Sequence, residues 1–210
     1  MLKLLSPNSP LGCWMAFLLD ALLISGAWAV FCIPVITIGA ATSAVHRVAQ
    51  NWVRDRSDCD LQHYFKAFKE NLKDGTAVWL ILLVPLAVIF FNAYAVWIAL
   101  VKADAVIRWL TLLPFAVWMA AAVYAFALQA TFENKPIRTV LNALRIAASH
   151  LLTTLFLILL FAAAIFCTLV FPYGAVLYVP FCIFFSARFT WNVFRKVFER
   201  SDVIKEDNPQ

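Results

Sequence analysis

Charged residues are scarce in this sequence. Asp, Glu, Lys and Arg make up 14% of its 210 residues, whereas 64% are hydrophobic and the mean hydropathy is +0.84. Soluble domains carry about a quarter charged residues and about half apolar ones. The core of a soluble domain of this size would not hold so many hydrophobic residues. Several apolar runs also reach the ~18 residues that mark a membrane span. The composition therefore predicts an integral membrane protein.

Sequence signatures of catalysis and of metal binding are also missing. The five cysteines are an odd number without a CxxC pair, which argues against a disulfide framework. The sequence has no Walker A lysine motif, no Rossmann glycine pattern, no GxSxG and no HExxH. His46, His63 and His150 have no i, i+4 spacing typical of a metal site. We therefore expect no enzyme activity, no catalytic residue, no cofactor and no metal.

Apolar runs predict an all-α fold, a polytopic membrane helical bundle with about five transmembrane helices. The predicted spans are 11–33, 77–101, 106–132, 151–171 and 175–194. The first run is too long for a signal-peptide core, so we expect it to remain as a span. Short links join the second span to the third and the fourth to the fifth. The chain is thus predicted to be one membrane domain, 1–210.

The distribution of basic residues predicts the orientation. Of the 17 Lys and Arg residues, 13 lie in 46–74, 133–150 and 195–210, and Arg188 lies near the end of the fifth predicted span that leads into the last of these segments. The other three are Lys3, Lys102 and Arg108. Because cytoplasmic loops are enriched in Lys and Arg, these segments are predicted to be cytoplasmic, with the N-terminus outside and the C-terminus inside. The net charge of +5 thus reflects topology, and we expect no nucleic-acid partner.

A helix break follows the first span, in the stretch from Cys32 to Thr42. Pro34 lacks an N–H and should stop or kink the arriving helix. Thr37 is a candidate cap for a new helix, and Gly39 would let its first turn approach another backbone closely. The candidate break motif is therefore Pro34, Thr37, Gly39 and Thr42.

The predicted cytoplasmic segments include short amphipathic helices. In 61–74, the apolar residues Leu61, Tyr64, Phe65, Phe68 and Leu72 recur at helical spacing, which predicts a helix in the headgroup layer or docked on the spans. Its candidate interfacial residues are Phe65, Phe68, Lys69 and Asn71. A second basic helix is predicted at 137–149. Aligning 65–69 with 141–145 suggests an internal repeat, as in some transporters.

Asp20 is the candidate intramembrane polar residue. It lies about two turns inside the first span, where an ionisable side chain is unusual. Three interpretations stay open: a proton or cation relay, a structural hydrogen bond, and a position at the edge of the membrane.

Two segments resemble the YesL family of bacterial integral membrane proteins. They are Ile-Pro-Val-Ile-Thr-Ile-Gly-Ala-Ala-Thr-Ser-Ala at 33–44 and Tyr-Phe-Lys-Ala-Phe-Lys-Glu-Asn-Leu-Lys at 64–73. The resemblance implies a multi-pass protein of the bacterial cytoplasmic membrane with a domain of unknown function. It also implies genes placed beside carbohydrate ABC transporters, and hence an auxiliary role in sugar uptake. It assigns no functional residue.

Two functions of different classes follow. The first is an accessory or regulatory protein linked to carbohydrate ABC transport, whose partners are the lipid bilayer and a transporter permease. The alternative is a small solute or ion transporter or channel that uses the broken first helix and Asp20. The small residues Ser25, Gly26 and Ala29 also suit a homo-oligomer contact.

Overall fold

The structure is a computed structural model that describes residues 10–55, 60–96, 110–132, 134–171 and 174–206. Within these ranges the chain forms seven α-helices and one 3₁₀ turn, and no strand. The predicted all-α class is therefore confirmed. The helices are α1 Pro10–Cys32, α2 Ile38–Asp55, α3 Leu61–Tyr94, α4 Leu112–Thr131, α5 Pro136–Ser149, α6 Leu151–Val170 and α7 Ala175–Glu206, and the 3₁₀ turn is Val35–Thr37.

Four helices are long and apolar enough to cross a membrane. They are α3, α4, α6 and the Val176–Val197 part of α7. The first predicted span falls on α1, whose apolar part, Phe17–Cys32, is shorter. Residues 97–101 of the second predicted span and 106–109 of the third lie outside the described residues. The helical membrane bundle is confirmed, with four spans by length and composition and α1 as a further apolar helix.

Helix α3 differs most from the sequence prediction. The predicted surface helix at 61–74 is not separate, because α3 continues without interruption from Leu61 to Tyr94. Its 34 residues extend about 51 Å at 1.5 Å per residue, and a hydrocarbon core is about 30 Å thick. All of its charged residues precede Gly75. The part of α3 that exceeds the hydrocarbon thickness is therefore its charged N-terminal part, which continues the apolar part in the same helix.

Asp60 explains why α3 begins where it does. Its backbone is extended, and its carboxylate accepts a hydrogen bond from the backbone N–H of His63 at 2.8 Å. This bond lowers the pKa of Asp60 below its ordinary value, because it favours the charged carboxylate. Asp60 thus caps the N-terminus of α3, a role for which aspartate is among the preferred residues.

Helices α2 and α4 lie at the centre of the packing. Helix α4 is buried from Met119 to Ala130 and packs against α3, α5 and α2. Helix α2 packs against α3, α7, α4 and α1, with six small or β-branched residues fully or almost fully buried: Ala40, Ala41, Ala44, Val45, Val48 and Ala49. Such side chains let helices approach closely, and close packing is a main source of helix association in membranes.

Helix α5 packs through its small face. Thr139, Ala143 and Ala147 are buried, whereas Ile137, Leu141 and Leu144 are exposed. These apolar residues therefore form an outward stripe beside the exposed Arg138 and Arg145. In the proposed repeat, 141–145 lies on α5, which ends at a turn before α6, whereas 65–69 lies inside the uninterrupted α3. The two aligned segments thus have different surroundings.

Candidate functional site

The break between α1 and α2 is built around Pro34 and Thr37. Helix α1 ends at Cys32, and Pro34 adopts an extended backbone before the 3₁₀ turn. The Thr37 hydroxyl lies 2.5 Å from the carbonyl oxygen of Phe31 and 2.8 Å from that of Pro34, as a donor to both. The break is where the sequence predicts it. The Thr37 hydroxyl thus donates to carbonyls behind it, and the Pro34 carbonyl also accepts from the backbone N–H of Thr37 at 3.0 Å. The role of Thr37 as a cap of the following helix stays a prediction.

Gly39 brings α2 into backbone contact with α3. A Cβ atom on Gly39 would lie 2.2 Å from the carbonyl oxygen of Gly75 and 2.4 Å from the Cβ of Trp79. The indole N–H of Trp79 donates to the carbonyl oxygen of Val35 at 2.9 Å, which fastens the turn to the same part of α3. The predicted close approach at Gly39 is confirmed, and its partner is Gly75. The contact also supports α3 at Gly75, the position where this helix would most easily bend.

Thr42 and the aromatic residues of α3 complete this contact region. The indole N–H of Trp28 donates to the Thr42 hydroxyl at 3.3 Å and joins α1 to α2. The Phe31 ring lies 4.4 Å from that of Phe68 and 5.8 Å from that of Phe65, measured between centroids. Each of the two sequence segments that resemble a known family therefore contacts residues that flank the other segment.

The four candidate interfacial residues of α3 have different surroundings. Phe68 and Asn71 are buried, and the Asn71 amide donates to the carbonyl oxygen of Ala67 at 2.9 Å. Phe65 is 38% exposed, and Lys69 is exposed. For Phe68 and Asn71 the structure favours the docked alternative over a headgroup position, because the helix turns this face toward α1 and α2. We name the contacts of residues 31–42 with 64–79 the crossing node.

Asp20 lies apart from the crossing node. It is partly buried on α1 and has an interaction partner. Fourteen residues separate it from Pro34, which corresponds to about 21 Å along a helix. The structure thus does not bring the two candidate features of the first span into one site.

A buried polar row on α2 was missed by the sequence analysis. Ser43, His46 and Gln50 are at most 3% exposed. The Gln50 amide donates to the carbonyl oxygen of Ala127 at 3.3 Å, and its oxygen accepts from the Thr131 hydroxyl. Within the described residues, the Ser43 hydroxyl and the Nδ1 of His46 have no hydrogen-bond partner. The sequence signal that could have predicted this row is the i, i+3, i+7 spacing of these three polar residues among alanines.

Burial also determines the charge of His46. It lowers the pKa of His46 from 6.5 to about 3, because the apolar surroundings disfavour the imidazolium form. The side chain is therefore neutral at physiological pH. In the part of the chain that the structure describes, no three His, Cys, Asp or Glu side chains are grouped so that they could hold a metal ion.

A polar cavity of about 180 Å³ opens beside this row. Its walls are Arg47, Gln50, Asn51 and Arg54 of α2, Ala130 and Thr131 of α4, and Trp191 of α7. The guanidinium carbon of Arg54 lies 5.8 Å from the ring centroid of Trp191. We name this cavity the arginine pocket.

Part of the chain matches a known protein family. A family model described as "Protein of unknown function, DUF624" matches residues 13–93. The matched range covers nearly all of α1, the 3₁₀ turn, α2 and α3 except its last residue, and so includes the whole crossing node. Neither the curated proteins nor the solved structures contain a match to the chain.

Proposed function

We propose that this chain is a YesL-like accessory protein of carbohydrate ABC transport in the bacterial cytoplasmic membrane. In this proposal the crossing node is a structural support, and the surface that it supports binds a transporter permease. The resemblance of 33–44 and 64–73 supports the family assignment, because both segments lie within the range that matches a family of unknown function. The link to sugar transport comes from the same resemblance.

The observation that carries the proposal is the basic surface at one end of the molecule. Three exposed lysines, Lys66, Lys69 and Lys73, lie on the part of α3 that exceeds a membrane thickness. Other exposed cations lie on the neighbouring ends of α2, α5 and α7 or just before α5: Arg54, Lys135, Arg138, Arg145, Arg195 and Lys196. We name this surface the basic end. Its excess of Lys and Arg favours a cytoplasmic location.

The basic end combines charge with apolar groups. The exposed Ile137, Leu141 and Leu144 of α5 lie at i, i+4, i+7 spacing, and Arg138 and Arg145 directly follow the first and the last of them in sequence. Amphipathic helices of this kind bind in grooves of partner proteins or in the headgroup layer. A permease with an acidic cytoplasmic surface would complement both features, because opposite charge guides association and apolar contact holds the complex.

Affinity purification of the full chain from its own membranes tests this function. We expect the permease of a carbohydrate ABC transporter to be recovered with the chain, and its recovery to fall strongly when Lys66, Lys69 and Lys73 are all changed to Gln. The control removes the same charge at Lys3, Lys102 and Arg108, which the sequence places on the opposite side, and should recover the permease normally. Absence of any permease, or equal recovery from both variants, would refute the proposal.

The transporter alternative gives a different result. If the chain moves a solute by itself, liposomes that contain only this protein will show sugar or ion flux, and Asp20→Asn will reduce that flux. Under the accessory function, flux stays at the level of empty liposomes for both proteins. The observation that favours testing this transporter alternative is the partly buried position of the ionisable Asp20 on the apolar helix α1.

A further inference from the structure

A groove of about 370 Å³ lies between α1 and α7, with walls from residues 18–25 of α1 and 177–184 of α7. We name it the lateral groove. The second range belongs to Val176–Val197, which is long and apolar enough to cross a membrane, and the first belongs to the apolar part of α1, Phe17–Cys32. Because both walls are apolar membrane helices, the groove faces hydrocarbon.

The lateral groove has a floor of small side chains and walls of large ones. Ala21 and Ser25, which stand at i, i+4 on α1, are at most 9% exposed, whereas Leu22 and Phe181 are 51% and 60% exposed. The Ser25 hydroxyl donates to the carbonyl oxygen of Ala21 at 2.7 Å, so its one donor is already used. The groove therefore suits an apolar occupant.

Aromatic rings close one end of the lateral groove. Phe17 and Phe184 meet edge to face with their centroids 5.6 Å apart, and Phe17 also stacks on Trp52 of α2 at 4.4 Å. The opposite end of the groove reaches Leu177, two residues after α7 begins. An occupant thus enters from the membrane face at which α7 begins and stops at Phe184.

The length of the lateral groove matches one leaflet. Phe184 lies nine residues after the first residue of α7, which is about 14 Å along a helix. One leaflet supplies half of a hydrocarbon core about 30 Å thick, or about 15 Å. A spanning helix of a second protein needs the full thickness and would fill the groove along only half of its length. A lipid chain has the length that the groove offers.

Tyr178 marks the entrance. A Cβ atom on Gly174 would lie 2.5 Å from the Tyr178 ring, so the glycine lets this ring pack against the turn that precedes α7. Tyrosine is enriched at the headgroup level of membranes, because its ring is apolar and its hydroxyl is polar. The entrance therefore lies where a lipid headgroup stays outside while a chain enters.

We propose that the lateral groove holds one acyl chain of a membrane lipid, with the headgroup beside Tyr178 and the end of the chain at Phe184. A chain in the groove has protein atoms on several sides, and the many small dispersion contacts add up. This inference goes beyond the proposed function, because Arg195 and Lys196 of the basic end lie toward the other end of the apolar part of α7.

Photolabelling of the full chain in defined bilayers tests the proposal. The probe is phosphatidylglycerol with a diazirine on one acyl chain, and mass spectrometry maps the labelled residues. Phe166 of α6 is the comparison, since it is 67% exposed and lies four residues before α6 ends at the turn to α7. We expect labels at Leu22 and Phe181 to exceed those at Phe166 by at least about threefold, because the enclosed chain makes more contacts.

Matched variants then assign the label to the lateral groove. Ser25→Leu fills the floor and should lower the label at Phe181 to the level of Phe166. Gly26→Leu adds a side chain of the same size at the next residue, where a Cβ meets nothing within 4 Å, and should leave the label unchanged. Thermal unfolding in detergent shows that both variants are folded.

A second pair of variants serves if Ser25→Leu does not fold. Leu22→Trp narrows the groove from an exposed position, and Leu23→Trp is its control, because Leu23 is 55% exposed and is not part of the groove wall. Only the first of the two should lower the label at Phe181.

Two results would overturn the proposal. Equal labelling of Phe181 and Phe166 in the unmodified chain would show ordinary lipid contact, and needs no variant to interpret. A label at Phe166 with none in the groove would show that a protein segment, from a second copy or a partner, covers it. Neither result depends on recovery of a permease, so this failure is distinguishable from a failure of the accessory function.

Discussion

At the scale of single residues, Gly39 has the most restricted surroundings in the crossing node. Its missing Cβ is what lets the backbones of α2 and α3 touch, and Thr37 and Trp79 add hydrogen bonds on either side. The sequence indicated Gly39 as a point of close approach. It gave no means to identify Gly75 as the partner, because 36 residues separate the two and the contact exists only after α2 has folded back along α3.

A single methyl group at Gly39 tests that contact. Gly39→Ala places Cβ against backbone atoms that cannot rotate away, so the helices must separate. We expect a loss of stability of about 1–3 kcal/mol or more, as for other overpacked sites. Thermal unfolding of the purified chain in detergent measures it.

Gly26 is the matched control for this substitution. A Cβ at Gly26 meets nothing within 4 Å, so Gly26→Ala should leave stability unchanged or raise it slightly, because Ala favours the helix over Gly. Equal effects at Gly26 and Gly39 would contradict the packing that we describe.

The Thr37 hydroxyl is the second residue-scale test. Thr37→Val keeps the size and shape of the side chain but removes the donor to the carbonyl oxygens of Phe31 and Pro34, and we expect a loss of about 1 kcal/mol. Thr37→Ser keeps the hydroxyl and should lose less. Comparison of the two unfolding temperatures checks this, and a Ser variant as unstable as the Val variant would show that the hydroxyl is unimportant.

At the scale of helices, the surface helix predicted at 61–74 became part of α3. Its charge pattern is amphipathic and Gly75 follows it, so sequence periodicity predicts a separate element there. In the structure the helix instead continues through Gly75, where the contact with Gly39 and the bond from Trp79 to Val35 support it. Burial of α2 was likewise not predictable, because its residues are only moderately apolar and small side chains do not indicate which helices they meet.

A distance measurement tests the continuity of α3. Spin labels at Lys66→Cys and Val84→Cys, in a chain without its native cysteines, stand 18 residues apart on one helix face. A straight helix separates their Cα atoms by about 27 Å, whereas a right-angle bend at Gly75 gives about 19 Å. We expect the longer distance by pulsed electron paramagnetic resonance in lipid nanodiscs. A population at the shorter distance would restore the separate surface helix.

At the scale of the whole molecule, the account depends on the side of the membrane that the basic end faces. Lys66, Lys69 and Lys73 share an end of the molecule with Arg195 and Lys196, and this excess of cations predicts that the basic end faces the cytoplasm. A reporter protein that is active only in the cytoplasm should be active when it is fused after Gln210. A reporter that is active only outside should be active when it is inserted at 102–104. The reverse pattern would overturn the predicted orientation.

The central claim is that the basic end binds a permease of a carbohydrate transporter. Photo-crosslinking in intact cells, from a photoreactive amino acid at the exposed Lys69, tests it most directly, with Leu159 in the middle of α6 as the control position. The account predicts a crosslinked product with the permease from position 69 and none from position 159. No such product from position 69, or one from position 159 alone, would contradict it.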